Sequence, residues 1–198
     1  MYTSQPPRGL YYIDNIIPDE NELVSNLNSD ITWTHIKNNT GRVVKQYGFE
    51  YDYINRQISK PLPDKFPDYI NNLSDILTNQ CRQLNLISES DPTFEFNQCI
   101  VNKYACGEGI SAHTDLISFG SIIGCFTIGS GASLVFKNKK TDEIFQLYTK
   151  PASCYIMSGE SRYTWTHEMP SRKFDLVEND KIKRGERISI TFRHVTNK

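Results

Sequence analysis

From residue 94 onward, glycines divide the chain into short runs of β-branched and aromatic residues. Runs of this kind, bounded by turn residues, are typical of strands in antiparallel sheets. Because helical patterns precede them, we expect a sandwich of antiparallel sheets with helices on its outside. The predicted strands cover 97–104, 121–128, 132–137, 143–147, 153–158 and 186–194.

The first part of the chain carries the helical signals. Asp19 marks the start of a short helix. Residues 67–86 place apolar side chains three or four positions apart, which predicts an amphipathic helix. A strand pair is predicted over 33–53, with Gly41 as its turn signal. Residues 1–12 are predicted to form a loop that leads into an edge strand.

Composition and charge exclude several classes of protein. The chain has 198 residues, which fits one large domain over 1–198, and no linker divides it. Its 22 basic and 23 acidic residues exclude a strongly basic nucleic-acid coat but leave room for a local basic patch. The five cysteines never show CxxC spacing, so a reducing compartment is expected. With no signal peptide and no run of membrane-spanning length, we expect a soluble intracellular protein without a membrane partner. The choice between cytoplasm and nucleus and the oligomeric state stay open.

Two histidines and an aspartate form the main candidate for a metal site. His113 and Asp115 are two residues apart, so on a strand or at its end their side chains point to the same face. His167 lies further along the chain and supplies a second imidazole. Two histidines and one carboxylate are the ligand set of non-haem Fe(II) oxygenases. The alternative is that His113 is a surface loop histidine beside a glycine-rich turn.

A second candidate site is the strand predicted near the end of the chain. In R-I-S-I-T-F-R, the side chains of Arg187, Ser189, Thr191 and Arg193 share one face. Two arginines on an inward face make sense if a dicarboxylate binds there, because guanidinium and carboxylate form paired charge-assisted hydrogen bonds. A polar face that is simply solvated is the alternative.

Asn102 and Tyr104 are candidates for the same ligand. They share a face of the strand predicted at 97–104, and both side chains are able to hydrogen-bond a bound acid. Ordinary strand packing is the alternative for this pair.

Taken in order, these segments resemble the AlkB family of Fe(II)/2-oxoglutarate dioxygenases. The matching segments are N-K-Y at 102–104, H-T-D at 113–115, G-E-S-R-Y-T-W-T-H at 159–167 and R-I-S-I-T-F-R at 187–193. The stretches at 42–51 and 172–175 are similar to the AlkB domain of the tRNA wobble-uridine hydroxylase and methyltransferase branch. Many members carry asparagine where this chain has Ser189.

The resemblance implies a fold, a cofactor set and roles for the candidate residues. The fold is α+β, with a double-stranded β-helix (jelly-roll) catalytic core at 94–198. Residues 1–93 contribute N-terminal helices packed outside the core, together with nucleotide-recognition strands. Fe(II), 2-oxoglutarate and O2 are the implied cofactor and co-substrates. The implied metal ligands are His113, Asp115 and His167; Arg187 with Tyr104 pairs with the distal carboxylate of 2-oxoglutarate, and Asn102 with the catalytic Arg193 lies nearer its C1 end.

Three functions remain open from the sequence. The first is hydroxylation or oxidative demethylation of a modified base in RNA, with tRNA favoured. The second is repair of N-alkylated DNA bases, and the third is a binding module without turnover. A protein substrate ranks below both nucleic acids. The resembled tRNA enzyme also carries an RNA-recognition module and a methyltransferase domain, so a separate partner is expected to supply those activities.

Contacts to a nucleic-acid substrate are also predicted. Tyr163 and Trp165 are expected to face the same side as His167 and to wall the metal pocket or pack in the sheet interior. Phosphate contacts are predicted for Arg42, Lys45, Lys137, Lys139, Lys140, Arg172 and Lys173, with solvated surface charges as the alternative. Trp33, Tyr47 and Tyr51 are able to stack on a base, but aromatic residues in a strand pair more often pack in the core.

Overall fold

A computed structural model describes residues 2–37, 40–88 and 90–196. Residues 38 and 39, inside the predicted strand pair, lie outside the described residues. A short 3-10 helix spans Ile117–Phe119. The three α-helices are α1 (Glu20–Asp30), α2 (Asp68–Gln83) and α3 (Gly159–Tyr163). The strands are β1 (Leu10–Ile13), β2 (Thr34–Lys37), β3 (Thr40–Tyr47), β4 (Phe49–Asp52), β5 (Gln57–Pro61), β6 (Gln98–Tyr104), β7 (Ile110–His113), β8 (Ile123–Gly129), β9 (Ala132–Asn138), β10 (Ile144–Thr149), β11 (Ser153–Met157), β12 (Trp165–Met169), β13 (Phe174–Val177), β14 (Asp180–Lys183) and β15 (Arg187–Arg193).

Two antiparallel sheets form the body of the protein. The larger has seven strands in the order β1-β11-β8-β15-β6-β3-β2, and the smaller has four in the order β10-β9-β12-β7. Two hairpins, β4–β5 and β13–β14, stand apart from these sheets. The predicted α+β jelly-roll core with helices outside is confirmed.

The two long helices cover the outer face of the seven-stranded sheet. Leu27 of α1 and Leu77 of α2 are fully buried in one cluster with Ile190 and Phe192 of β15. Asp19 caps α1, because its Oδ1 accepts a hydrogen bond of 2.9 Å from the Glu22 amide. Because side chains alternate along β15, Ile190 and Phe192 both point toward the two helices. None of the helices in the described part of the chain combines the length and hydrophobicity needed to cross a membrane.

A second core fills the space between the sheets. Ile123 and Cys125 of the larger sheet pack in one cluster with Leu134 and Phe136 of the smaller sheet. The polar face of β15 lies in the same layer, because all seven of its residues are buried and the apolar ones face the helices. The interior between the sheets is therefore part apolar and part polar. The predicted alternative of a solvated polar face is wrong.

Several short elements differ from the prediction. Strands β5, β7, β12, β13 and β14 have four or five residues and are absent from the predicted strand ranges, since so few residues give only a weak period-two signal. Residues 33–53 form parts of two strand pairs, β2–β3 and β4–β5, instead of one. Tyr163 lies on α3 and not on an extended segment with Trp165 and His167. The reason is the Ser158–Ser161 capping box, which starts a helical turn before β12.

A close contact between α2 and β8 generates a stability prediction. A Cβ at Gly124 would overlap the Leu77 side chain, so Gly124→Ala is expected to destabilise the protein by about 1–3 kcal/mol through overpacking. Leu77→Ala alone is expected to cost about 3 kcal/mol, because it leaves a cavity. In the double variant the new methyl group occupies that cavity. Urea unfolding should therefore show a double variant clearly more stable than the sum of the two losses, and additivity within about 0.5 kcal/mol would contradict the contact.

Candidate active site

Strand pairing brings the two candidate histidines face to face. β7 and β12 are neighbours in the four-stranded sheet, and their register sets His113 directly opposite His167. The two imidazole centroids are 4.3 Å apart. Asp115 follows β7 by two residues, and one ligand atom from each of the three side chains lies within 4.8 Å of the others. The structure thus brings together a His-Asp-His set with one ligand atom from each residue.

Hydrogen bonds orient these side chains toward a common point. His113 Nδ1 lies 2.8 Å from the Ser111 carbonyl oxygen, and donating to it leaves Nε2 as the free ligand atom. Arg193 donates to Asp115 Oδ1 from Nη2 at 2.8 Å and from Nε at 3.0 Å. Asp115 Oδ2 is buried and has no hydrogen-bond partner among the described residues. A buried carboxylate oxygen without a partner is costly unless a cation occupies the space beside it, so the set fits a divalent metal ion.

The protonation states also fit a metal site. Burial, reinforced by the neighbouring His113, lowers the pKa of His167 to about 3, so its imidazole is neutral near pH 7 and keeps a lone pair for a metal. Burial alone would raise the pKa of Asp115, but the guanidinium and imidazole groups around it, Arg193 foremost, together outweigh burial and hold that pKa well below its usual range. The 3.5 Å contact between His167 Nε2 and Asp115 Oδ2 is therefore a contact between a neutral ring and a carboxylate.

Arg162 fixes the loop that carries Asp115. Its side chain is 1% exposed, and its three nitrogens donate to backbone carbonyls of the 115–120 loop. The acceptors are Asp115 at 2.9 Å, Gly120 at 3.1 Å and Leu116. These three hydrogen bonds from the Arg162 guanidinium fix the backbone of the 115–120 loop against α3.

A narrow cavity of about 50 Å³ extends from the His-Asp-His set between the two sheets. Arg187 is 4% exposed there and donates from Nη2 to Thr127 Oγ1 at 2.8 Å. Its Nε is buried and has no partner among the described residues. The Tyr104 ring lies 5.7 Å from its guanidinium carbon. The unpaired nitrogen fits a bound carboxylate, which would complete the hydrogen bonding of the guanidinium. All seven candidate residues line this cavity: Asn102, Tyr104, His113, Asp115, His167, Arg187 and Arg193.

A larger cavity of about 710 Å³ opens from the same point toward the surface. The two cavities share lining residues, among them Asn102 and Asp115. Tyr51 and Tyr53 of the β4–β5 hairpin wall the larger one, with their rings edge to face at 4.9 Å. Arg42 lines it as well and donates from Nε to Asn102 Oδ1 at 3.0 Å. One side-chain hydrogen bond therefore connects the walls of the two cavities.

The comparison with family models decides the assignment. The model described as 2OG-Fe(II) oxygenase superfamily matches residues 10–193. The chain belongs to this superfamily. It is a dioxygenase whose cofactor and co-substrates are Fe(II), 2-oxoglutarate and O2, and the alternative of a binding module without turnover is not supported.

Individual relatives place the oxygenase among AlkB-like proteins. The chain is 34% identical over 185 residues to Uncharacterized protein L905 of Acanthamoeba polyphaga mimivirus, across 92% of this chain and 82% of that protein. It is 31% identical over 210 residues to tRNA (carboxymethyluridine(34)-5-O)-methyltransferase alkbh8 of Xenopus tropicalis, across 96% of this chain and 32% of that protein. The chain thus spans about a third of the length of that tRNA methyltransferase. The solved structure of OsALKBH1 shares the fold, with a TM-score of 0.71 and 16% identity over 97% of this chain and 100% of that one.

Most of the side chains predicted to contact phosphate form ion pairs or hydrogen bonds with other groups of the protein. Four contacts are Lys45 with Asp64, Lys137 with Asp142, Lys139 with the Tyr163 carbonyl and Arg172 with Asp175. Arg42 lies in the larger cavity instead of on the surface. Lys140 and Lys173 are exposed.

The aromatic residues considered for base stacking fall into different environments. Tyr47 is buried in the outer core, against the Phe66 ring, so for this residue the interpretation as a core side chain holds and base stacking does not. Trp33 packs against the same core, with Lys103 Nζ 5.4 Å from its ring. Tyr51 alone of the three lines the larger cavity.

Sequence reasoning missed several residues of the site. Arg162 lay within the segment 159–167 that resembles the AlkB family, and Tyr53 lay within the predicted strand pair, but neither was given a role in the site. Thr127 and Tyr155 approach the small cavity from β8 and β11, and burial raises the pKa of Tyr155 well above its ordinary value. No local pattern reports these contacts, because each depends on pairing between distant strands.

Replacing Arg162 is expected to loosen the loop that carries Asp115. Arg162→Met leaves buried carbonyls without donors, so the free energy of unfolding should fall by about 3 kcal/mol. Affinity for Mn(II), measured by isothermal titration calorimetry, should fall as well. Arg8→Met serves as the control, because Arg8 makes an exposed ion pair with Glu160 and should change neither quantity. Unchanged Mn(II) affinity in folded Arg162→Met would show that the loop does not need this anchor.

Proposed function

We propose that this oxygenase hydroxylates or oxidatively demethylates a modified base in RNA, with tRNA as the favoured source. The observation that carries the proposal is the 710 Å³ cavity, which reaches from the surface to the His-Asp-His set and has an aromatic wall. A base has to leave its stack to enter such a cavity, and single-stranded or loop RNA offers that base at low cost. The similarity to a protein named as a tRNA methyltransferase favours RNA over DNA.

In this proposal, His113, Asp115 and His167 would hold Fe(II). Fe(II) with 2-oxoglutarate and O2 supplies oxidative decarboxylation to succinate and CO2, coupled to oxidation of a substrate C–H bond. Arg187, with Tyr104 beside it, would pair with the distal carboxylate of 2-oxoglutarate. Asn102 and Arg193 also line the small cavity and would face the C1 end, where the ion pair of Arg193 with Asp115 would keep that carboxylate ionised.

Residues 94–198 would bind the metal and 2-oxoglutarate, and residues 1–93 would bind the base. Residues 94–198 carry the metal set and the arginines of the small cavity. Residues 1–93 contribute Arg42 and the β4–β5 hairpin with Tyr51 and Tyr53, which would hold the base. A base that stacks on an aromatic ring gains stacking energy whatever its sequence context, so the exposed face of this tyrosine pair would bind the base while Arg42 hydrogen-bonds its edge. A separate partner would supply the methyltransferase or further RNA-binding activity.

The decisive experiment follows nucleosides and succinate together. The protein is incubated with Fe(II), ascorbate, 2-oxoglutarate and total tRNA, and nucleosides are analysed by mass spectrometry before and after. We expect a change in one modified nucleoside together with succinate, and neither from His113→Ala. Methylated DNA oligonucleotides form the parallel arm. Turnover of DNA without any change in tRNA would replace the proposal with the repair function.

Arg187 is expected to control affinity for 2-oxoglutarate. Arg187→Ala removes a charge-assisted pair from a buried site, so the affinity should fall by about 30-fold or more, measured by isothermal titration calorimetry with Mn(II) present. Arg187→Lys keeps the charge but loses the planar arrangement of donors, so its affinity for 2-oxoglutarate should lie between those of Arg187→Ala and the unaltered protein. Lys103→Ala is a matched control, because Lys103 lies over the Trp33 ring, against the outer core. Equal affinity in Arg187→Ala and the unaltered protein would contradict this role.

A further inference from the structure

The β13–β14 hairpin reverses the usual arrangement of polar and apolar residues. On β13, Phe174 and Leu176 are 40% and 61% exposed, whereas Asp175 between them is buried. On β14, Lys181 and Lys183 are exposed. Successive side chains of a strand point to opposite faces, so the hairpin has one outward face and one inward face.

A buried ionic cluster fixes this orientation. Asp175 accepts hydrogen bonds from Arg184 Nε at 2.5 Å and Arg184 Nη2 at 2.8 Å, and from Arg172 Nε at 2.8 Å. The Ser133 amide of β9 donates to it at 3.2 Å and ties the hairpin to the smaller sheet. A one-residue shift of β13 would bury Phe174 and Leu176 but would expose Asp175 and break this cluster. The sequence therefore holds two apolar side chains in solvent.

The outward face combines apolar and basic side chains. The register pairs Phe174 with Lys183 and Leu176 with Lys181, and paired residues share a face. Lys181 Nζ lies 4.5 Å from the Phe174 ring centroid, so the two side chains are on the same side. We call the surface formed by Phe174, Leu176, Lys181 and Lys183 the ribbon face.

The ribbon face is positively charged and begins at the rim of the larger cavity. Among the residues that the structure describes, no carboxylate lies within ion-pair distance of Lys181 or Lys183. Ser171 lines the cavity shortly before β13 begins at Phe174. From there the ribbon extends roughly 10 Å over the four residues of β13, about the length of a few nucleotides. A strand that delivers one base into the cavity therefore has a charged path beside it.

We propose that the ribbon face binds the single-stranded RNA that flanks the target base. The inference rests on the proposed function, and it names a surface outside the two cavities. A flanking base stacks on the exposed Phe174 ring, Leu176 contacts the sugar, and Lys181 and Lys183 neutralise neighbouring phosphates. Charge complementarity selects this occupant, because the chain carries a net charge of -1 and many of its other basic side chains are paired internally. An acidic protein segment would satisfy the lysines but leave the ring without a stacking partner.

Fluorescence anisotropy with fluorescein-labelled single-stranded RNA tests the proposal. Phe174→Ala should weaken binding by about tenfold, whereas Phe174→Trp should retain it, because the ring face is what the base contacts. The double variant Lys181→Ala, Lys183→Ala should weaken binding and reduce the salt dependence of log K by about 0.7 for each lysine. Lys65→Ala is the control, since this exposed lysine lies just before α2, lines neither cavity and was not among the predicted phosphate contacts. All of these side chains are exposed, so the variants are expected to fold.

The outcomes separate this inference from the proposed function. RNA binding that is unchanged in the ribbon variants, or equally reduced in Lys65→Ala, overturns the ribbon face but leaves nucleoside oxidation standing. Binding of polyglutamate that is as tight as RNA and unaffected by Phe174→Ala would assign the face to an acidic protein and overturn it too. Succinate formed from 2-oxoglutarate without RNA should be the same in all variants. If the unaltered protein changes no nucleoside in tRNA, it is the proposed function that fails.

Discussion

The ion pair between Arg193 and Asp115 joins the two sheets at the point where the metal set is built. Arg193 belongs to β15 in the larger sheet, and Asp115 follows β7 in the smaller one. A buried pair of this kind is costly to break, because either partner alone would be an uncompensated charge. The pair uses Asp115 Oδ1 and leaves Oδ2 facing the histidines. The packing of the two sheets and the geometry of the candidate metal ligands therefore depend on the same contact.

A polar layer between two sheets weakens the core that normally holds a sandwich together. Arg187, Ser189, Thr191 and Arg193 occupy positions on β15 where a structural domain would place apolar residues. The opposite face of β15 compensates for this, because Ile190 and Phe192 are fully buried against the outer cluster that includes α2. The helices therefore stabilise a sheet whose inner face is polar, because they bury its apolar outer face.

The parts of this site that lie within one strand were readable from the sequence. The period-two pattern of 187–193 predicted both faces of β15, and the spacing of His113 and Asp115 predicted their convergence. His167 was a candidate for the second imidazole from its residue type, but its position opposite His113 was not predictable, because register between distant strands leaves no local signal. The same limit hid the Arg162 contacts to the 115–120 loop. Tyr163 was misplaced because a capping box of two serines overrides an apparently extended stretch.

The hydrogen bond between Arg42 and Asn102 gives the two cavities a common wall. Asn102 faces the small cavity from β6, and Arg42 reaches it from β3 across the larger one. The Arg42 guanidinium carbon also lies 5.9 Å from the ring centroids of both Tyr53 and Tyr104. Tyr53 belongs to the wall proposed for the base and Tyr104 to the side proposed for 2-oxoglutarate. Arg42 therefore connects the walls of the two cavities, through its hydrogen bond to Asn102 and its position beside both tyrosine rings.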